Sequence, residues 1–416
     1  MVDDKLYYTS LIFEEYERRF MEAKLNREFH IPTTDEDRAK IVADTKRMLG
    51  IKEEWIPKIG EMTEVRRDKF EKYDAIQLKY ETWKNFYASG TLYMPHGEED
   101  VPLMFIFCGH ALTGRRTPAY AILASRFANL GMAVYVADNI GRGDRLKYGH
   151  WHTPEPFYCG TTMQGLIIME SLALVKKVIE FPRVDKTRVG AVGNSGGGTL
   201  SLLMAALCED LVAVCPSGYP CEFSYIHAKE KDHCHCNLLP GCANGPEMWE
   251  VLASRAPKHL MVHTGQMDSL IPHDYFMRMA RKIRHTYIQN GAEDKFCYCD
   301  TRTPHGWVAE SRDAFVDYFG KLFLNKTAED SPETEELLPY FEKWVIEHPE
   351  DGIKTSHLPE VLSGITMPKG MEIYDMFIPT YKGEPIKAED VVPETMRGNT
   401  MTIFAQMECA LKEWEE

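Results

Sequence analysis

The chain has 416 residues, 44% of them hydrophobic, and a formal net charge of -15. That is apolar material enough for a large core. The acidic balance argues against nucleic acid as a partner, since no basic run is longer than Arg115-Arg116 or Lys176-Lys177. No apolar run reaches the roughly 18 residues of a membrane helix, and the opening MVDDKLYYTS carries acids where a signal peptide carries a basic flank. A cytoplasmic protein without membrane contact is expected, and its 11 scattered cysteines then read as reduced thiols.

In chain order, Leu6, Leu11, Ile12, Tyr16, Phe20 and Met21 recur at helical spacing over 3–25. Thr34 with Asp37 resembles a capping box that opens a second helix, closed by Gly50. The segments YDAIQLKYETW and NFYASGTLYMP alternate like strands and predict a hairpin turning near Lys84-Asn85. Strands are expected at 101–108, 132–138, 187–193, 211–218, 259–265 and 294–300. Helices are expected at 119–131, 165–181, 197–208, 269–291 and 313–324. This alternation implies a mostly parallel α/β sheet covered by helices on both faces. The organisation read from it is an N-terminal helical segment and partial lid over 1–70, a core over 71–325, and a C-terminal extension over 326–416. The extension has helical signals at about 333–347 and 398–415, which suit a homodimer contact or a cover for the pocket. The loops at 139–164 and 216–250 are long enough to complete a lid.

The stretch AVGNSGGGTL, 191–200, follows an apolar strand and opens a helix. Gly193-Asn194-Ser195-Gly196-Gly197 fits G-x-S-x-G in the one context that gives the pattern meaning, a tight elbow presenting a serine hydroxyl. A nucleotide loop is disfavoured, because the stretch has neither GxGxxG nor the Lys-Ser/Thr of a P-loop. A serine nucleophile needs a histidine base and a carboxylate that orients it, in the order Ser, Asp, His on loops after later strands. Asp268, just beyond the strand ending at Gly265, and His305, in DKFCYCDTRTPHGW, meet that requirement. Asp274 and His273 compete but fall inside a predicted helix, and Asp268 also reads as a helix N-cap. Oxyanion donors are expected from the Gly196 N–H and from the CGHAL loop, with His110 first and Ala111 second.

With those residues in place, the chain resembles α/β-hydrolases of the acetyl xylan esterase and dienelactone hydrolase type. The resemblance runs from about 35 to 325 and is carried by CGHALTGRRTPAYAILASRFANLG, VADNIGRGDR with Asp138, Gly141, Gly143 and Arg145, HCHCNLLPG, GQMDSLIP and PHGW. It implies an α/β-hydrolase fold, ester hydrolysis, Ser195 as nucleophile, His305 as general base and acid, and Asp268 as orienter. Cys108 and Ala111 depart from the histidine and glycine of many relatives, and 326–416 matches nothing in the family.

Two clusters remain. His227, His233, Cys234, His235, Cys236 and Cys242 offer zinc-type ligands, but CHC and C-x5-C are not a CxxC pair. The segment is read as packing beside the site, with no metal and no cofactor. Trp151, Tyr158, Tyr219 and Trp307 are candidates for a substrate pocket, and Arg142, Arg145 and Lys147 for an acidic substrate, although Arg145 reads better as structural, tying the GRGDR turn to a carboxylate. The expected activity is a serine carboxylic ester hydrolase, acetylesterase-like and acting on a small-molecule ester through an acyl-enzyme. The alternatives are the same triad on another bond (peptidase, lactonase, thioesterase or C–C hydrolase) and a non-catalytic ligand receptor on this scaffold.

Overall fold

The computed structural model describes residues 4–27, 31–150, 153–227, 234–377, 380–391 and 397–412. The hairpin signals become β2 (Tyr73–Glu81) and β3 (Tyr87–Pro95), paired antiparallel, with Asn85 at a φ of 59° in the turn. The continuous apolar runs become β4 (Val101–Phe107), β5 (Ala133–Ala137), β6 (Val184–Asn194), β7 (Ala213–Ser217), β8 (His259–Gly265) and β9 (Phe296–Thr301). These six pair in parallel, and β1 (Thr63–Lys69) adds an antiparallel edge, giving the order β1-β2-β3-β5-β4-β6-β7-β8-β9. Strands that run as continuous apolar stretches are buried on both faces, as a parallel sheet requires.

The longer helices are α1 (Asp4–Asn26), α2 (Asp35–Leu49), α3 (Pro118–Leu130), α4 (Met163–Val178), α5 (Gly196–Leu207), α6 (His273–Gln289), α7 (Ala309–Leu324) and α8 (Arg397–Leu411). The capping box at Thr34 and Asp37 is formed, and Gly50 closes α2 in the left-handed conformation. One sheet face is covered by α3 and α7, through Leu123, Phe127, Phe315 and Phe319. The other is covered by α4, α5, α6 and α2, through Leu166, Leu203, Phe276 and Met48. Among the described residues no helix is long and apolar enough to cross a membrane.

Three expectations change. The strand β1 lies inside the segment read as helical, so the sheet begins before residue 71. Leu338–Trp344 is a 3-10 turn instead of an α-helix. The extension after residue 325 is built into the body of the molecule. Trp344 is fully buried, its Nε1 donating to Asp68 Oδ2 at 2.8 Å, while its carbonyl accepts from Arg115 Nη2 at 2.6 Å. Further on, Phe404 and Met407 pack against Ile12, Phe13 and Tyr16 of α1. The N–H groups of Gly241 and Ala243 donate to the carbonyls of Cys409 and Ala410 at 3.3 and 3.1 Å. The chain end thus straps α1 and the 234–245 loop onto the core.

Candidate active site

The elbow forms because nothing but glycine fits its flanks. A Cβ on Gly193 would run into the Gly197 carbonyl and stand 2.6 Å from Ser201 Oγ, and one on Gly197 would strike the Phe107 carbonyl. Between them Ser195 holds a φ of 57° and ψ of -119°, a strained conformation that non-glycine residues adopt where the surroundings impose it. Here the surroundings are β7 and α5: the Ser195 N–H donates to the Ser217 carbonyl at 3.0 Å, and its carbonyl accepts from the Thr199 N–H at 2.9 Å. The side chain is half-buried at the C-terminal end of β6.

On the same edge, Asp268 and His305 meet. Asp268 Oδ2 lies 2.7 Å from His305 Nδ1, with the carboxylate buried and the imidazole 24% exposed. The other oxygen, Oδ1, accepts the N–H groups of Leu270 and Ile271 at 2.8 and 3.2 Å. The turn-forming and imidazole-orienting readings of Asp268 therefore coexist, one on each oxygen. His305 reaches the elbow through Gly218, where an added Cβ would stand 3.4 Å from His305 Cε1 and which follows the Ser217 that holds the Ser195 N–H. The competitor His273 pairs instead with Asp300, at 2.8 Å.

Gly196 begins α5, so its N–H lies at the positive end of a helix. The loop after β4 crosses directly above it: a Cβ on Gly109 would sit 3.4 Å from the Gly196 nitrogen, and one on Gly196 would sit 2.7 Å from His110 Cε1. The Gly109 N–H is tied to Tyr120 Oη at 3.0 Å, which fixes the start of this loop. His110 and Ala111 are both partly exposed beside the elbow. The His110 ring turns toward the 234–245 loop, with Nε2 3.2 Å from Cys236 Sγ.

A buried network sequence reasoning did not single out supports the edge from below. His263, in β8, bonds Ser217 Oγ through Nδ1 at 2.7 Å and Thr301 Oγ1 through Nε2 at 3.0 Å. Burial holds its pKa down at about 4, so it is neutral in the folded protein. Trp307 donates its indole N–H to Ser217 Oγ at 2.9 Å and packs edge-on to Tyr120. It is buried under the His305 loop, and Tyr219 is buried as well, so neither offers the open wall that a substrate pocket needs. Tyr158 is half-buried, and Trp151 lies outside the described residues.

The candidate cations for an acidic substrate are already engaged. Arg145 makes a bidentate pair with Glu170 at 2.7 and 2.8 Å, and Lys147 bonds Glu350 and the His348 carbonyl. The histidine-cysteine run also divides. His227 stacks on Phe20, and the Cys242 carbonyl accepts from Lys24 at 2.6 Å. His233 lies outside the described residues. Cys234 and Cys236 instead converge with His110 and His150, all four ligating atoms lying within 4.8 Å of one another.

A mostly parallel sheet, a strained serine between β6 and α5, and a carboxylate-imidazole pair after β8 and β9 define the molecule as an α/β-hydrolase. Residues 58–235 match the model of the acetyl xylan esterase (AXE1) family. The Bacillus subtilis protein YtaP, named as a hydrolase, is 25% identical over 195 residues, 46% of this chain, which spans 63% of the length of that relative. Among solved structures, the methylesterase BT1017 superposes with a TM-score of 0.64 at 17% identity, over 84% of this chain and 78% of the other. A glucuronoyl esterase from Solibacter usitatus superposes with a TM-score of 0.52 at 12% identity, over 68% of this chain and 90% of the other. These likenesses establish the fold.

Proposed function

We propose that the protein is a serine carboxylic ester hydrolase whose triad is Ser195, His305 and Asp268. The observation that carries this reading is the 2.7 Å pairing of Asp268 with His305 on the edge where Ser195 stands at a positive φ. The carboxylate fixes the Nδ1–H tautomer, so that Nε2 is the basic nitrogen available to the serine. Ser195 Oγ attacks the ester carbonyl carbon as His305 Nε2 takes its proton. The charge that develops on the carbonyl oxygen is met by the Gly196 N–H and a donor from the loop at His110 and Ala111. The protonated imidazole gives its proton to the departing alcohol, and water then repeats the cycle on the acyl-enzyme to release the acid.

Esters of carbohydrates are the substrate class this reading favours, because the family matched over 58–235 is named for acetyl xylan and the superposable enzymes are named for methyl and glucuronoyl esters. Acetyl esters come first. A cytoplasmic setting is supported by the free state of all the cysteines, Cys108 to Cys409. The extension reads better as a cover than as a dimer contact, since the described apolar residues of α8 are spent on α1 and on Leu238 and Phe377.

A fluorophosphonate probe is expected to label Ser195 alone, located by peptide mapping, and the Ser195→Ala protein is expected to lose about 10⁴-fold or more in kcat on p-nitrophenyl acetate. Labelling elsewhere, or activity within tenfold of the parent, would refute the assignment.

A further inference from the structure

We infer that His110, His150, Cys234 and Cys236 form a closed, four-coordinate zinc site that ties the loop over the nucleophile to the loop beneath α8. Their ligating atoms lie within 4.8 Å of one another, and this is the one such group among the described residues. Zinc bound by two thiolates and two imidazoles has bonds of about 2.3 and 2.0 Å, which separates neighbouring ligand atoms by roughly 3.3 to 3.8 Å in a tetrahedron. His110 Nε2 and Cys236 Sγ already stand 3.2 Å apart. Closure around a cation needs side-chain movements of about an ångström or less, within reach of rotamer adjustment.

The surroundings suit a metal more than an ordinary core. His150 is buried, and its Nδ1 lies 2.8 Å from the Ile140 carbonyl, the outer bond that orients a ligating imidazole and leaves Nε2 with the lone pair. It comes this close because Gly141, at a φ of 66°, has no side chain: a Cβ there would stand 2.6 Å from the His150 Cβ. The two rings meet edge to face, centroids 5.1 Å apart. The sulfurs converge from positions two apart because Cys234 is extended, with a φ of -57° and ψ of 134°, and Cys236 falls in the following 3-10 turn. His235 turns away, its ring 5.9 Å from Phe157. The short CHC spacing is therefore no obstacle, since the remaining two ligands come from other loops.

Both sulfurs are buried. Four protein ligands leave no open coordination position, which marks the site as structural. Its consequence falls on the neighbouring elbow, because the His110 ring that would be fixed by the metal lies against Gly196. The inference concerns metal content and does not depend on the reaction assigned above.

The full chain, purified without chelator and then exposed to excess zinc and desalted, is expected to hold about one zinc per chain by elemental analysis, with nanomolar or tighter affinity. Cobalt in place of zinc is expected to give a sulfur-to-cobalt charge-transfer band in the near ultraviolet and strong tetrahedral d–d bands. The Cys234→Ser, Cys236→Ser double variant is expected to lose both the metal and the band. A Cys297→Ser variant, changed at an exposed cysteine outside the cluster, is expected to keep them. If the double variant fails to fold, alkylation of the parent protein decides: zinc protects Cys234 and Cys236, and a chelator exposes both, as mapped by mass spectrometry. A parent protein that retains less than roughly a tenth of an equivalent after zinc loading, or a folded double variant with full metal content, would overturn the site.

Discussion

Replacing Asp268 by Asn separates the two roles its carboxylate fills. Asparagine keeps an oxygen for the N–H groups of Leu270 and Ile271, so the turn after β8 is retained. At the other position an amide N–H₂ replaces Oδ2, now facing His305 Nδ1, which the carboxylate approaches to 2.7 Å. Two donors cannot share that contact, so the imidazole must place its proton on Nε2 and present an N–H to the serine in place of a lone pair. Wrong-tautomer substitutions in serine hydrolase triads cost about 10⁴-fold in kcat, equivalent to about 5.4 kcal/mol of barrier at 1.36 kcal/mol per decade. The stability cost is far smaller, about 1 to 3 kcal/mol for one hydrogen bond to a charged group.

The assay is steady-state hydrolysis of p-nitrophenyl acetate, with thermal unfolding followed on the same samples. The expected result is a folded protein with kcat lowered about 10³- to 10⁴-fold. Asp268→Ala should add a further loss of about 1 kcal/mol of stability, because it removes the acceptor for the two backbone N–H groups as well. An Asp268→Asn enzyme within tenfold of the parent would mean that Asp268 is only a turn former, and the orienting role would have to be abandoned.

Two further expectations test the frame around the site. His263 is buried and neutral with its pKa lowered to about 4, against 6.5 for an unperturbed imidazole. The unfolded chain therefore binds the extra proton between those values. Stability is complete above about pH 6.5 and falls as pH drops toward 4, by up to about 3 kcal/mol from this group. His263→Asn should flatten the urea-midpoint profile between pH 6 and 4.5, and an unchanged slope would show that other groups control acid unfolding. Trp344, fully buried and bonded to Asp68, should cost about 3 to 5 kcal/mol when changed to Ala. Differential scanning calorimetry showing an unshifted transition would mean that the segment after residue 325 is a detachable appendage.

What the sequence disclosed follows from how local each cause is. A continuous apolar run or a glycine-flanked serine carries its signal within ten residues, so β8 and the elbow at Ser195 are legible to the residue. The strand β1, TEVRRDK, is an edge strand in which only Asp68 is buried, so it shows neither alternation nor an apolar run. The pairing of Asp268 with His305 was legible because strand order fixes where those loops emerge.

The convergence of His110, His150, Cys234 and Cys236 was not legible in the sequence, where only the local run from His227 to Cys242 stands together. The cluster takes just Cys234 and Cys236 from that run and draws His110 and His150 from loops that meet it only when the sheet has formed. The same holds for the C-terminal strap, whose buried Phe404 and Met407 find partners in α1 at the opposite end of the chain. Both features bear on one place. The strap seats the 234–245 loop through the carbonyls of Cys409 and Ala410, that loop carries Cys236 to His110, and His110 rests on Gly196. A chain of contacts therefore runs from the last helix to Gly196, the residue after Ser195. Loosening α8 should disturb the loop at His110 before it disturbs Asp268 and His305, which are held by β8 and β9 on the far side of the elbow.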